Sequence, residues 1–95
     1  MVKHIVMYRL KERTEENATA LKDKFLSMKG KIDVLKDIQA GVDTLKSQRS
    51  FDVVLECTFD TLADLETYKN DEVHIPVMKY VQSVVEVSHS VDYIY

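Results

Sequence analysis

The sequence is poor in three features: cysteine, basic charge and long apolar runs. Its one cysteine, Cys57, excludes an intramolecular disulfide, and no Cys/His spacing suggests a zinc site. Its net charge of −3 at pH 7 argues against a nucleic-acid-binding protein, whose surface would be basic. No apolar run is long enough to span a bilayer, and the first ten residues carry charge where a secretory signal would be apolar. We therefore expect a cytoplasmic protein with no metal site, no membrane contact and no nucleic-acid partner.

The 95 residues predict a single domain, residues 1–95, because chains divide only at roughly 250 residues or more. Hydrophobic residues make up 45% of the chain and charged residues 31%, which is typical of a globular protein. A domain of this size buries about two thirds of the surface of its unfolded chain. Its stability is therefore modest unless a partner covers more of that surface.

Four segments have the two-residue periodicity of β-strands. In the first, Val2 to Leu10, His4 shares a face with valine, tyrosine and leucine, and the other face also carries apolar side chains. We therefore expect this strand to be covered on both sides. The other strands are predicted at Ile38 to Asp43, Phe51 to Phe59 and roughly Val84 to Tyr95.

Two helices are predicted between these strands from their caps and their apolar spacing. Thr14 offers an N-cap hydroxyl before an apolar periodicity that ends at Gly30. Thr61, with Asp64 three residues later, opens a second helix that ends near Asn70. A further short helix is predicted from Pro76 to Tyr80, with the proline at its first position.

The predicted order is β-α-β-β-α-β, which indicates an α+β protein of the ferredoxin-like class with a four-stranded antiparallel sheet. Two helices cover one face of such a sheet and leave the other bare. Because that open side carries apolar residues, we expect it to be covered by a second copy of the chain, sheet against sheet.

Three stretches of the chain resemble the stress-responsive dimeric α/β-barrel (Dabb) family. They are "VKHIVMYRLK" at the start, "VVLECTFDTLADLETYKNDEVHIPVMKYV" in the second half and "VDY" near the end. The resemblance covers essentially the whole chain. It implies a ferredoxin-like subunit that pairs with a second copy, so that two sheets close into a dimeric α/β barrel.

The resemblance also implies a candidate catalytic set. The working histidines and tyrosine of a polyketide cyclase of this family match His4, Tyr68 and His74. Relatives usually carry His-Pro shortly before the second histidine, whereas this chain has Asp71 and Glu72 there. A carboxylate beside His74 is expected to favour its imidazolium form.

Several functions remain open at this point. The first is binding of an apolar or aromatic small molecule in a subunit cavity, with no cofactor. The alternatives are a cofactor-independent lyase or cyclase, a cofactor-free monooxygenase of related fold, and a structural, stress-associated dimer without a ligand. Catalysis predicts that His4, Tyr68 and His74 converge on one open volume, whereas a structural role predicts separate backbone partners.

Other chemistry-bearing residues have ordinary structural explanations. Cys57 shares its strand face with apolar residues and is expected in the core. His89 is expected at the surface or at an interface. Asp52 and Glu56 lie over 13 Å apart by strand rise, which is too far for a carboxylate dyad, so both are expected to be solvated or at the barrel rim. An RNA-recognition domain shares the element order, but the acidic polar face of the third strand excludes it.

Overall fold

A computed structural model describes residues 1–95, which form four strands and three helices. The elements, in chain order, are β1 (Val2–Leu10), α1 (Glu15–Leu26), β2 (Asp37–Val42), β3 (Val53–Phe59), α2 (Leu62–Lys69), α3 (His74–Val84) and β4 (Val85–Ile94).

The four strands form one antiparallel sheet in the order β2-β3-β1-β4. The first and third strands are therefore central, and the last strand lies at an edge beside the first. This arrangement confirms the ferredoxin-like fold that the strand and helix pattern predicts. No helix is long and apolar enough to cross a membrane.

The core lies between one face of the sheet and the helices. Alternate residues of β1 and β3 point into it, which follows from the two-residue repeat of a strand. Cys57 is among them and is fully buried, as expected. The largest fully buried side chains are Tyr68, Phe25, Phe59, Leu10, Leu21, Met28, Ile38, Leu55, Val2 and Cys57.

Both predicted N-caps are present. The Thr14 side chain accepts a hydrogen bond from the Asn17 N–H, and the Thr61 side chain accepts one from the Asp64 N–H. At the other end of α1, the chain continues in turns as far as Gly30, whose φ of +77° is a conformation that other residues adopt only with strain.

The third helix is longer than predicted. It begins at His74 rather than Pro76 and runs to Val84, so Pro76 is its third residue. A proline is harmless there, because the first turn of a helix leaves its N–H groups without intrahelical partners. Its apolar residues Val77 and Val81 are buried against the sheet. Three helices, not two, therefore cover this face.

Asp52 was expected to be solvated or at the barrel rim, and the first of these alternatives is wrong. Its carboxylate is buried and accepts hydrogen bonds from the Leu10 N–H at 2.9 Å and from the Arg13 Nε–H at 3.1 Å. The Arg13 guanidinium also donates to the Ser50 carbonyl at 3.0 Å. The aspartate thus binds the end of β1 to the loop that precedes β3. Sequence periodicity does not show this role, because the partners lie about forty residues away.

The sheet face opposite the helices is uncovered in the single chain, and we call it the open face. Its apolar members come from three strands: Ile5 and Met7 of β1, Val54 of β3, and Val91 and Tyr93 of β4. Met7, Val91 and Tyr93 are 43%, 58% and 47% exposed, which is high for large apolar residues. The predicted bare face is therefore present.

Replacing Asp52 with alanine tests its structural role. We expect Asp52→Ala to lower the free energy of unfolding by about 2 kcal/mol, because the Leu10 N–H and the Arg13 guanidinium lose a charged acceptor. Urea unfolding at neutral pH measures the change. Glu16→Ala, which removes an exposed carboxylate from α1, should stay within about 0.5 kcal/mol of the unmodified protein. Equal effects of the two changes would contradict the assignment.

Candidate functional site

A cleft of about 720 Å³ opens between the helix-covered face of the sheet and helices α2 and α3. Its volume lies in the range of small-molecule sites. His4, Tyr68 and His74 all line it. The full lining is His4, Val6, Tyr8, Leu55, Tyr68, Lys69, His74, Met78, Val81, Gln82, Val85, Glu86, Ser88, Ser90 and Asp92.

His74 reaches Tyr68 because the chain reverses between α2 and α3. The Asp71 carbonyl accepts hydrogen bonds from the N–H groups of His74 and Ile75, both at 3.0 Å. The Asp71 carboxylate accepts one from the Val73 N–H at 2.8 Å. This turn places the His74 ring 4.2 Å from the Tyr68 ring, centroid to centroid. Asp71, which stands where relatives usually carry His-Pro, therefore stabilises the turn through its own hydrogen bonds.

One nitrogen of His74 is occupied and the other is free. Nδ1 lies 3.1 Å from the Lys69 carbonyl oxygen, which can only accept, so Nδ1 carries the proton and donates it. The neutral ring then has its lone pair on Nε2, which has no hydrogen-bond partner in the protein. This backbone bond is the type that a structural role predicts, and it also leaves a base available to a ligand.

His4 is held by a carboxylate rather than by the backbone. Its Nδ1 forms a hydrogen bond with the Asp92 carboxylate of the neighbouring strand. The two residues are direct partners in the register of β1 and β4. A carboxylate on Nδ1 orients the imidazole and stabilises the positive charge that forms when Nε2 accepts a proton.

Tyr68 lies between the two histidines. Its ring is 6.5 Å from that of His4, and the Cys57 thiol lies 3.8 Å from its hydroxyl oxygen, within the distance for a weak S–H hydrogen bond. Burial, and then the nearby Cys57, raise the pKa of Tyr68 well above its usual value of 10.0. Burial likewise raises the pKa of the Cys57 thiol to about 12. Tyr68 is therefore a neutral hydrogen-bond donor, and burial keeps the Cys57 thiol protonated at neutral pH.

The Asp71 carboxylate does favour the charged form of His74, as expected, but burial of the ring outweighs this effect. Burial lowers the pKa of His74 below 6.5, and this effect exceeds the opposing effects of the Lys69 carbonyl and of Asp71. Proximity to His4 lowers it further. Desolvation dominates because the imidazole is buried, whereas the Asp71 carboxylate is already engaged by the backbone. His74 is thus neutral at pH 7.

Some residues of the cleft carry no local sequence signal. Asp92 is the most important, because it is the partner of His4. The resemblance to "VDY" near the chain end contains this residue, but only the strand register assigns its contact. Tyr8 also lines the cleft, and its apolar neighbours on β1 explain why the sequence pattern indicates an ordinary core residue.

The arrangement suits acid–base chemistry on an organic molecule. Two imidazoles offer Nε2 as proton acceptors, and a neutral phenol between them offers a hydrogen bond. No group of three or more His, Cys, Asp or Glu side chains is arranged to hold a metal ion.

The fold and cleft define a ferredoxin-like α+β protein with two histidines, His4 and His74, in a cleft between its sheet and its helices. Residues 2–95 match the family described as the stress responsive A/B barrel domain, Dabb. The chain belongs to this family, which confirms the resemblance. No curated protein matches the chain.

Solved structures of similar shape support the same fold. A dimeric protein of unknown function and ferredoxin-like fold from Bacteroides fragilis is 25% identical, with a TM-score of 0.84 over 99% of this chain and 95% of that one. A Dabb family protein from Mesorhizobium loti is 17% identical, with a TM-score of 0.76 over 99% and 95%. The hydroxynitrile lyase from Passiflora edulis is 19% identical, with a TM-score of 0.83 over 99% and 92%.

The lowered pKa of His74 predicts how stability depends on pH. The unfolded chain binds more protons at this residue than the folded chain, so stability is highest above about pH 6.5 and falls as the pH drops towards the lowered pKa. We expect His74→Gln to reduce the loss of unfolding free energy between about pH 7.5 and pH 5, measured by urea unfolding. The same change at His89, on the other sheet face, controls for loss of an imidazole. Unchanged pH dependence in His74→Gln would refute the prediction.

Proposed function

We propose that the cleft binds an apolar or aromatic small molecule that carries a carbonyl group. The observation that carries this proposal is the convergence of His4, Tyr68 and His74 on one volume of about 720 Å³. The apolar part of the cleft, which includes Val6, Leu55 and Met78, suits a hydrocarbon or aromatic body. The three polar groups at one end suit the carbonyl.

We further propose that this site is that of a cofactor-independent lyase or cyclase. The pairing of His4 with Asp92 favours this alternative, because a carboxylate on Nδ1 has no role in binding an apolar body. The Passiflora edulis relative, a lyase of the same fold, is consistent with such chemistry. The monooxygenase stays a prediction that no contact in the cleft favours. The purely structural dimer also stays a prediction, and the bond from His74 to the Lys69 carbonyl is the one contact in the cleft that agrees with it.

The proposed chemical step is removal of a proton from the carbon next to the carbonyl. Nε2 of His4 or His74 takes the proton, and the electron pair of the broken C–H bond forms an enolate. The Tyr68 hydroxyl donates a hydrogen bond to the enolate oxygen, where negative charge develops. The enolate then adds to a second carbonyl, or the reverse reaction breaks a carbon–carbon bond, and the histidine returns its proton.

Hydrogen–deuterium exchange tests the proton abstraction without knowledge of the natural substrate. The probe is 1-phenylpropan-2-one in D₂O, and proton NMR follows the loss of its α-protons. We expect the protein to accelerate exchange, and His4→Gln or His74→Gln to reduce that acceleration by about 10²-fold or more. Tyr68→Phe should reduce it as well, by removing the hydrogen bond to the enolate.

The matched control is Glu16→Gln, which changes an exposed residue of α1 outside both the cleft and the open face. This variant should accelerate exchange of the α-protons of the probe as much as the unmodified protein does. Binding of the ketone without exchange would contradict the lyase or cyclase proposal and leave the binding proposal standing. No chemical-shift change at His4 or His74 on adding the ketone would contradict both.

We also propose that the protein is a homodimer paired through the open face. Its exposed apolar residues support this, as does Arg9, whose buried Nε is the one buried side-chain nitrogen or oxygen without a hydrogen-bond partner. Arg9 stacks on Phe51 on this same face, where a second chain would offer it acceptors. Two of the similar solved structures from bacteria are described as dimers, those from Bacteroides fragilis and Thermobifida fusca.

A charge placed on the open face tests the dimer. We expect Val91→Lys to convert the protein to a monomer, because burying an unpaired ammonium in an apolar interface is unfavourable. Sedimentation equilibrium measures the mass. Leu45→Lys, at a loop residue that is 80% exposed and away from the open face, should leave the mass unchanged. A dimer in the Val91→Lys variant would place the interface elsewhere.

A further inference from the structure

One wall of the cleft is built almost entirely from oxygen-bearing side chains. The inward-facing residues of β4 are Glu86, Ser88, Ser90 and Asp92, at every second position along the strand. The facing wall, from α3, contributes Met78 and Val81. All four residues are exposed to solvent, so they line the open mouth of the cleft rather than the core.

Most of these polar groups have no partner within the protein. The chain has six serines, and Ser27, Ser47, Ser50 and Ser83 form local side-chain hydrogen bonds. The two that form none are Ser88 and Ser90, and both line the cleft. Glu86 and the neighbouring Gln82 of α3 form no side-chain hydrogen bond either. Asp92 differs, because it is bonded to His4.

The wall extends from the histidines to the far end of the cleft. His4 pairs with Asp92, Val6 with Ser90 and Tyr8 with Ser88. Four residues of strand span roughly 13 Å, so Ser88 lies about that far from Asp92 along the wall. A ligand whose carbonyl lies at the histidines therefore needs an elongated body to reach Ser88 and Glu86.

The charges along the cleft disfavour an anion at the far end. Glu86 offers only hydrogen-bond acceptors, and no arginine lines the cleft. The one lysine, Lys69, already donates to Glu66 at 3.2 Å. A carboxylate or phosphate near Glu86 would meet like charge, whereas a hydroxyl or amide N–H would find an acceptor.

We propose that the β4 wall selects an elongated, uncharged ligand that carries a hydrogen-bond donor, such as a hydroxyl group, at the end remote from His4 and His74. Ser88 and Glu86 are the specificity-determining residues for that end. The inference rests on the proposed function, because it concerns the same cleft and assumes that the carbonyl lies at the histidines.

Two ketones that differ only at the far end provide the test. The uncharged probe is 4-acetyl-4′-(hydroxymethyl)biphenyl, and the anionic probe is 4′-acetylbiphenyl-4-carboxylate. Titrations followed by protein NMR give the dissociation constant of each, with His4 and His74 signals reporting binding in the cleft. We expect the alcohol to bind at least about fivefold more tightly at neutral pH, since like charge disfavours the carboxylate.

Substitutions then assign the preference to the wall. Glu86→Gln should reduce the ratio of the two dissociation constants by about twofold or more, because it removes the negative charge that repels the carboxylate probe. Ser88→Ala should weaken binding of the alcohol probe more than binding of the carboxylate probe. Glu16→Gln makes the same change of net charge on α1, outside the cleft, and should leave the ratio of dissociation constants unchanged.

Two results would overturn the inference. One is binding of the carboxylate as tightly as the alcohol, and the other is an equal effect of Glu86→Gln and Glu16→Gln. If both ketones shift the His4 and His74 signals but bind equally well, the proposed ligand class fails and the proposed binding site stands. If neither ketone shifts these signals, the proposed function fails as well.

Discussion

The pairing of the first strand with the last is the constraint on which the rest of the structure depends. It places Asp92 directly opposite His4, although 88 positions separate them in the chain. A slip of one residue would turn every side chain of β4 to the other face, since strand side chains alternate. Asp92 would then point to the open face, and the cleft would lose both its carboxylate and its serine wall. The register therefore sets the chemistry of the cleft as much as the identity of its residues.

Burial keeps the centre of the cleft uncharged. Tyr68 packs against Phe59 at 5.1 Å and against His74 at 4.2 Å between ring centroids, so one tyrosine joins the core to the cleft. Desolvation raises the pKa of the phenol and lowers that of the His74 imidazole, which favours the neutral form of both. The same packing that stabilises α2 and α3 on the sheet thus also prepares a donor and an acceptor. Stability and the proposed acid–base chemistry have a common physical origin here.

Local sequence patterns predicted most of the fold but less of the site. The N-caps Thr14 and Thr61 and the two-residue repeat of the third strand depend on neighbouring residues. Both caps are present, but the strand spans only Val53–Phe59, and Phe51 lies outside it against His89. The start of α3 was misplaced, because Pro76 is accepted anywhere in the first turn and so does not mark the first residue. The hydrogen-bond partners of Asp52 and Asp92 could not be predicted from local patterns. Their partners are distant in sequence, and only the assembled sheet determines whether a carboxylate meets an N–H group, an imidazole or water.

Consecutive residues of β1, and likewise of β4, lie on opposite faces of the sheet. His4 and Asp92 point into the cleft, whereas Ile5, Val91 and Tyr93 lie on the open face. The last strand is an edge strand and has a neighbour on one side only, so β1 and the side-chain contacts hold it in place. A second chain on the open face would pack against Val91 and Tyr93, which flank Asp92, and would restrict the backbone of β4. A second chain there would therefore also restrict the position of the His4–Asp92 pair, since neighbouring residues of β4 lie on opposite faces of the sheet.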